Sequence, residues 1–454
     1  METTSKVLII GAGLAGSDAA WFLASNGVPV VLAEVKRLKL GPAQKMNTDA
    51  ELVCTNSLKS LQPDSSHGML KHEMNGLGSL ILKVGQETAV PAGDALAVDR
   101  EVFSKRITEI LGDHPLITKL DIDAEDPNKL MEEHGCDYCL IATGPLTTEA
   151  LTNWIKKEIT GEDDFYFYDA IAPVVDADSL DMDKLYFKDR HKPVGEDGEE
   201  ADYLNAPMNK QQYDEFVNAL ISAERVAPKD FEELKYFESC LPIDTMADRG
   251  IDTPRFSCMK PIGLEMSDGK RPWACVQLRK ENLLGSAYNL VGFQTRLTYP
   301  EQKRVFRMIP GFENAQFIHL GSVHRNSFLN ARKILDFDLS SKKFPKIHFA
   351  GQITGVEGYT ESASMGLYVG SQILRKIKGQ QAIKWPVETA IGALINYVMT
   401  CEKPVPSNIN FGLMPPVTLT KEQRKDKKRK SIKKSLAAQR AREVFDSFIT
   451  EVKA

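Results

Sequence analysis

Several features are scarce in this 454-residue chain, and each scarcity excludes a class of function. No apolar run reaches the roughly 18 residues that mark a membrane-spanning helix, so no membrane span is expected. The apolar stretch at 7–10 is short and flows straight into glycines, which argues against a secretory signal. The seven cysteines are odd in number and scattered without a disulfide-scaffold spacing, which points to a reducing, cytoplasmic compartment. Cys136 and Cys139 form a CxxC, but they lie in a stretch that reads as a strand and no second pair exists, so zinc chemistry is not expected there. The eight histidines make no HxH or HExxH, and no metal site is expected. No internal repeat is visible.

What is present is ordinary in bulk and unusual in two places. Hydrophobic content of 42% and charged content of 26% suit a globular protein of two or three domains. The first unusual place is the opening. Residues 7–10, VLII, read as a strand, and GAGLAG follows at 11–16. SDAAWFLASNG then reads as a helix ending at Gly27, and VPVVLAE as a second strand ending at Glu34. In this strand–turn–helix–strand context Gly11 permits the tight turn, Gly13 lets a pyrophosphate approach the backbone, and Gly16 allows close helix–strand packing. The turn as a whole (Gly11, Ala12, Gly13, Leu14, Ala15, Gly16) presents helix N-terminal amides to phosphate, and Glu34 is placed to accept from ribose hydroxyls. This much predicts a bound dinucleotide.

Two later stretches sharpen that to FAD. CDYCLIATGP at 136–145 reads as a strand leading into Thr143-Gly144, a second approach of backbone to cofactor. KIHFAGQITGVEGYTESASMGLYVGSQIL at 346–374 reads as strand, glycine-rich turn and small-residue helix, with Gly351, Gln352, Gly355 and Val356 as candidates for the flavin end. The expected fold is α/β: a Rossmann-like FAD-binding domain, discontinuous in sequence, with an inserted α+β domain. Its first part covers 1–190, the insert 191–329, and the closing part 330–454. Within the insert, 211–224 reads as an amphipathic helix, and 273–280 and 287–297 as paired strands.

The second unusual place is the C-terminal segment. Residues 421–442 hold eleven Lys/Arg against Glu422 and Asp426, a local charge of 11 − 2 = +9 in a chain whose net charge is −5. Such a stretch can hold a polyanion or can be a solvated helical end. Residues 436–449 read as helix, with Leu436, Val444 and Phe448 available to dock.

Candidates for chemistry are fewer. Cys54, beside Asn56 and Ser57, and Cys240, in YFESCLPIDTMADRG, both fall in polar, loop-like stretches. The segment 86–100 reads as a further loop leading into a helix. From composition alone each thiol reads first as a bystander. A thiolate can nevertheless attack the activated double bond of a pyrimidine while a flavin supplies electrons.

The chain closely resembles the folate- and FAD-dependent tRNA (uracil-5-)-methyltransferases, relatives of the flavoproteins that modify the tRNA wobble uridine. The resemblance is carried by VLIIGAGLAGSDAAWFLASNGVPVVLAE, DAELVCTNSLKS, PAGDALAVDRE, LIATGPLT, FYFYDAIAPVVDADSLDMDK, ADYLNAPM, YFESCLPIDTMADRG, MKPIGLE, YNLVGFQTRL, EQKRVFRMIPG, HRNSFLNA, FAGQITGVEGYTESASMG and NINFGLMPP, spread over nearly the whole length. It implies transfer of a one-carbon unit from 5,10-methylenetetrahydrofolate to C5 of the T-loop uridine of tRNA, with reduced FAD as carrier and reductant and NADPH or NADH as a transient electron source. It implies that Cys240 adds to C6 of the uracil and that Cys54 assists as base or protector, with the reverse assignment open. It implies that the insert helps to bind folate and RNA. A branch acting on 23S ribosomal RNA shares the same chemistry, and a non-catalytic RNA-binding flavoprotein is the alternative from another class. Two departures stand out: Ser239 replaces the usual glycine before the second cysteine, and FSCMKP replaces FGPMKP, making Cys258 an additional thiol.

Overall fold

The structure is a computed structural model that describes residues 5–41, 43–161, 165–170, 172–190, 201–226, 241–281, 285–321, 323–402 and 406–453. The strands Val7–Ile10, Val30–Glu34 and Tyr138–Ile141 are short and almost wholly apolar, the pattern of a sheet covered on both faces. They join a five-stranded parallel sheet in the order 347–349, 138–141, 7–10, 30–34, 117–121. The opening strand is therefore central. The chain winds to one side of it first and returns to the other side later, and ligands bind in the crevice at the carboxyl ends of strands at such a point.

The helix Leu14–Ser25 crosses back over this sheet and packs on the long helix Tyr359–Ile377. Small residues set that approach: a Cβ at Gly366 would lie 2.0 Å from the Ala15 carbonyl oxygen. Residues 366 − 15 = 351 positions apart thus share one layer. The polar, loop-like stretch around Cys54 leads into more regular structure than its polarity suggested. It forms a strand, Ser57–Ser60, and the helices Ser66–Gly76 and Leu80–Glu87. Segment 86–100 contributes the strands Ala89–Val90 and Ala95–Val98, which complete a small three-stranded sheet. The helices carry side-chain N-caps, Ser65 to Gly68 N and Ser79 to Leu82 N, and a sparse apolar stripe sufficed to bury them.

A second sheet of six strands runs in the order 186–187, 203–208, 274–280, 287–290, 174–176, 317–319, with antiparallel pairing throughout. It takes two strands from before residue 191. Its helix Lys210–Ser222 begins with a capping box between Asn209 and Gln212 and buries Tyr213, Phe216, Val217 and Leu220. This sheet has a hydrophobic core of its own, including Phe293, Phe306 and Phe312. The backbone segments 165–170 and 323–328 pair antiparallel where the chain passes out of the first core and back.

The C-terminal helix Arg429–Lys453 docks on the helix Ser66–Gly76. The docked residues are Ala437, Ala438, Ala441, Phe445 and Val452, with Phe448 packed against Trp385. Leu436 and Val444, expected to dock, lie one position off that stripe and are only half-buried. Among the described residues no helix is long and apolar enough to cross a membrane, and no cluster of His, Cys, Asp or Glu could hold a metal ion.

Candidate functional site

A cavity of about 1120 Å³ opens at the carboxyl ends of the central parallel strands. It exceeds the roughly 300–1,000 Å³ of ordinary small-molecule pockets. Gly11, at φ +102°, forms its floor; a Cβ there would lie 2.7 Å from the Ala142 carbonyl oxygen. Gly13 is the N-cap of the helix Leu14–Ser25 and supplies no side-chain cap, so the first-turn amides are left to a ligand. Gly16 does not reach the cavity. Its role is the expected packing one, because a Cβ there would sit 1.8 Å from the Gly11 carbonyl oxygen. Leu14 and Ala15 line the cavity, whereas Ala12 instead donates its amide to Glu34 Oε2 at 2.7 Å. The other carboxylate oxygen of Glu34 accepts from the amides of Val35 at 2.8 Å and Lys36 at 3.0 Å. Glu34 is thereby fixed at one end of the cavity, where a ribose is expected.

Thr143 and Gly144 line the same wall, as do Gly351 and Gln352 from the late return. Gly355 and Val356, expected to touch cofactor, are not among the lining residues. Gly355 takes the left-handed conformation that ends a 3-10 turn, and Val356 is fully buried and bridges to Ser407. Their place is taken by Glu357, Gly358 and Tyr359.

Cys54 lines this cavity. The sequence left the relation between that thiol and the glycine turn open, and the structure brings them together. Tyr359, the first residue of the late helix, accepts from the Cys54 amide at 2.6 Å and from the Thr55 amide at 3.1 Å through its hydroxyl. Burial and the nearby thiol push its phenol well above the ordinary tyrosine range, so the phenol stays neutral. The loop is held from its other side by the second sheet. Arg279 donates from Nε to Asn56 Oδ1 at 2.9 Å and from Nη2 to the Thr55 hydroxyl. Asn56 Nδ2 donates to the carbonyls of Val98 at 3.1 Å and Lys280 at 3.0 Å, and Arg100 pairs with Glu281 at 2.9 Å. Sequence reasoning missed Arg279, Tyr359 and Asn408. Arg279 is buried near the end of the strand 274–280, and a buried charge demands a partner without naming it.

Below the loop, Glu361 is fully buried. Burial alone would raise its pKa, but Lys59 at 3.9 Å and His67 at 3.4 Å outweigh it and hold the carboxyl at about 2. Lys59, which lines the cavity, adopts φ +64°, an uncommon conformation for a side-chain-bearing residue. Cys240 lies outside the described residues. Three residues on, the amide of Ile243 donates to the carbonyl of Gln294 at 2.8 Å, and Gln294 lines the cavity. Asp244 holds that connection, accepting from the Thr295 hydroxyl, the Arg296 amide and Arg296 Nε, each at 3.0 Å. The additional thiol, Cys258, is half-buried and packs against Gly292, and desolvation pushes it up to about 12. Cys136 and Cys139 are buried, the latter completely, and are core residues.

The family described as glucose inhibited division protein A matches residues 6–381. The chain is 48% identical over 448 residues to the methylenetetrahydrofolate–tRNA-(uracil-5-)-methyltransferase TrmFO of Aquifex aeolicus, covering 98% of this chain and 97% of that one. It is 49% identical over 415 residues to the TrmFO of Enterococcus faecalis, covering 91% and 92%. The chain belongs to the TrmFO family. The GidA of Aquifex aeolicus, in its form II crystal, superposes with a TM-score of 0.68 over 98% of this chain and 73% of that one at 16% identity, which speaks for the fold. The residues present fit the flavin cofactor of this fold. A glycine floor that a Cβ would fill, uncapped helix amides and an oriented carboxylate are the donor and acceptor set for the pyrophosphate and ribose of FAD.

Proposed function

We propose that this protein transfers the methylene carbon of 5,10-methylenetetrahydrofolate to C5 of the T-loop uridine in tRNA, forming 5-methyluridine, with NADPH or NADH as electron source. The observation that carries the reading is the position of Cys54 in the cavity of the glycine turn, in a chain of the TrmFO family. FAD, when bound, supplies the electrons that turn methylene into methyl and carries the one-carbon unit.

The chain's own residues do the rest. Gly11, Gly13, Leu14, Ala15, Glu34, Thr143, Gly144, Gly351 and Gln352 hold the cofactor. Cys240 is assigned as the nucleophile: its thiolate adds to C6 of the uracil, and the C5=C6 electron pair moves to make C5 nucleophilic. Once C5 carries the new carbon, its proton must leave so that the Cys240–C6 bond can break and the double bond reform. Cys54 is assigned as the base for that proton. The link from Ile243 to Gln294 ties the chain three residues beyond Cys240 to the cavity that Cys54 lines, and the same link serves the reverse assignment of the two thiols. Tyr359 and Arg279 do not react; they fix the Cys54 loop from two sides.

The test is methyl transfer by the FAD-loaded protein with methylenetetrahydrofolate and NAD(P)H, offering tRNA and 23S ribosomal RNA separately and mapping the product base. Methylation of the tRNA T-loop uridine is expected, and methylation of ribosomal RNA alone would move the reading to that branch. Cys240→Ala is expected to keep FAD and to lose transfer by at least about 1,000-fold. Undiminished transfer would remove Cys240 from the chemistry.

A further inference from the structure

We propose that the N-terminal part of the C-terminal helix, with the turn before it, is a docking surface for the phosphate backbone of the RNA substrate. The inference rests on the RNA-directed activity proposed above. The helix Arg429–Lys453 changes character along its length while keeping one stripe. Positions 452, 448, 445, 441 and 438 face the core and are apolar, and Ala437 beside them is buried. Continued toward the N-terminus at helical spacing, the same stripe reaches Lys434, Lys433 and Lys430. The face that binds the body of the protein becomes lysine where the helix runs off the core. Preceding it, Lys425, Lys427 and Lys428 are exposed as well.

These six lysines form no ion pair with a carboxylate among the described residues. The contrast with the docked end is informative. There Arg442 donates to the Pro63 carbonyl at 2.7 Å, Arg440 to the Pro416 carbonyl at 3.2 Å, and His72 faces Asp446 at 2.7 Å. The guanidiniums that attach the helix are committed to carbonyl oxygens, whereas the lysines of its free end have no carboxylate partner among the described residues. In a chain whose remaining residues carry −5 − 9 = −14, such an uncompensated group raises the local anion concentration.

Its position adds to its charge. Ser435 donates to Asp64 Oδ2 at 2.7 Å, four residues past the strand Ser57–Ser60 that follows Cys54. Lys434 lies 5.9 Å from the ring centre of Phe411, three residues past Asn408, which lines the cavity. The lysine ridge is thus seated between two segments that lead into the cavity wall. An RNA whose uridine enters the cavity carries its flanking phosphates past this edge. A lipid surface is the poorer fit. A helix lying in a membrane interface needs bulky apolar residues on the inserted face. Between 424 and 435 only Ile432 is apolar, and the helix spends its larger apolar residues on the core.

The test uses the full-length, FAD-loaded enzyme carrying Lys430→Gln, Lys433→Gln and Lys434→Gln together. tRNA binding is titrated between about 0.05 and 0.3 M salt, with FAD content and Tm as folding controls. At about 0.9 per phosphate contact on a duplex stem, the slope of log affinity against log salt should fall by about 2 to 3. Affinity at low salt should fall at least tenfold, and KM for tRNA should rise with it. Should that variant lose FAD, Lys425→Gln, Lys427→Gln and Lys428→Gln, in residues not docked on the core, carry the same test. Unchanged affinity and slope would overturn the proposal. So would binding to phosphatidylserine vesicles that the substitutions abolish while leaving RNA affinity intact. Failure of the unsubstituted enzyme to methylate tRNA would instead refute the proposed function, so the two failures are distinguishable.

Discussion

The two sheets contribute to one cavity in different currencies. The parallel sheet contributes backbone: a glycine floor, uncapped amides and left-handed turns, with Glu34 as the main exception. The antiparallel sheet contributes mainly residues that carry polar side chains: Arg279 and Asn289 from its strands and Gln294 from the loop beyond Leu290 line the cavity. A backbone site is defined by where a Cβ cannot be, and it tolerates almost no variation at those positions. A side-chain site is defined by reach and charge, and it can be weakened without collapsing. The Cys54 loop lies where the two meet, held by Tyr359 from one side and Arg279 from the other.

This contrast can be broken in graded ways. Gly16→Ala should give the largest effect. Its Cβ meets a main-chain oxygen at 1.8 Å that no rotamer change can relieve, so a destabilisation of about 3 kcal/mol or more and loss of FAD are expected. Denaturant titration and flavin absorbance check this; a normal, yellow protein would show that the backbone of the first turn is softer than described. Arg279→Ala should act on chemistry more than on the fold. Releasing Thr55 and Asn56 lets the Cys54 loop drift, and a misplacement of about 1 Å costs on the order of 100-fold in rate. Methyl transfer should fall by that order while FAD content falls less than twofold. Equal loss of both would mean that the second sheet holds the cofactor itself.

The smallest effect concerns Glu361, whose folded pKa of about 2 lies below its unfolded value near 4.5. A depressed carboxyl contributes stability that is present above the unfolded pKa and lost as pH falls toward the folded one. The window is therefore pH 4.5 down to 2. Denaturant unfolding between pH 6 and pH 3 should show a falling stability that Glu361→Gln flattens. A slope unchanged by the substitution would mean that Lys59 and His67 do not hold this charge.

The backbone half was legible in the sequence and the side-chain half was not, for physical reasons. Gly11, Gly13 and Gly16 carry their geometry in their identity, because few other residues fit a turn that close. The late return was legible as a motif, but its register was not: Gly355 and Val356 serve the turn, and the wall is built one step later by Glu357, Gly358 and Tyr359. The helix at 66–76 was hidden by polarity, since its capping serine and its burial against the long helix do not show as a strong apolar period, whereas Leu80, Ile81, Leu82 and Val84 made the helix at 80–87 legible in principle. The same one-residue ambiguity misplaced part of the docked face of the C-terminal helix, where Ala437, Ala438, Ala441 and Phe445 rather than Leu436 and Val444 make the contact, while Phe448 docks as expected. Nothing local in 273–280 announces that Arg279 crosses to the Cys54 loop, because that partnership spans more than 220 residues.

The central claim is that the glycine turn and Cys54 share one cavity. It is tested most directly by the rate of alkylation of Cys54, read by mass spectrometry, in FAD-loaded protein and in protein stripped of FAD. Bound FAD is expected to slow modification of Cys54 by at least about tenfold, while half-buried Cys401, away from the cavity, reacts at the same rate in both forms and core Cys139 stays unmodified. Equal rates at Cys54 with and without FAD, in protein whose Cys139 remains protected, would contradict the claim.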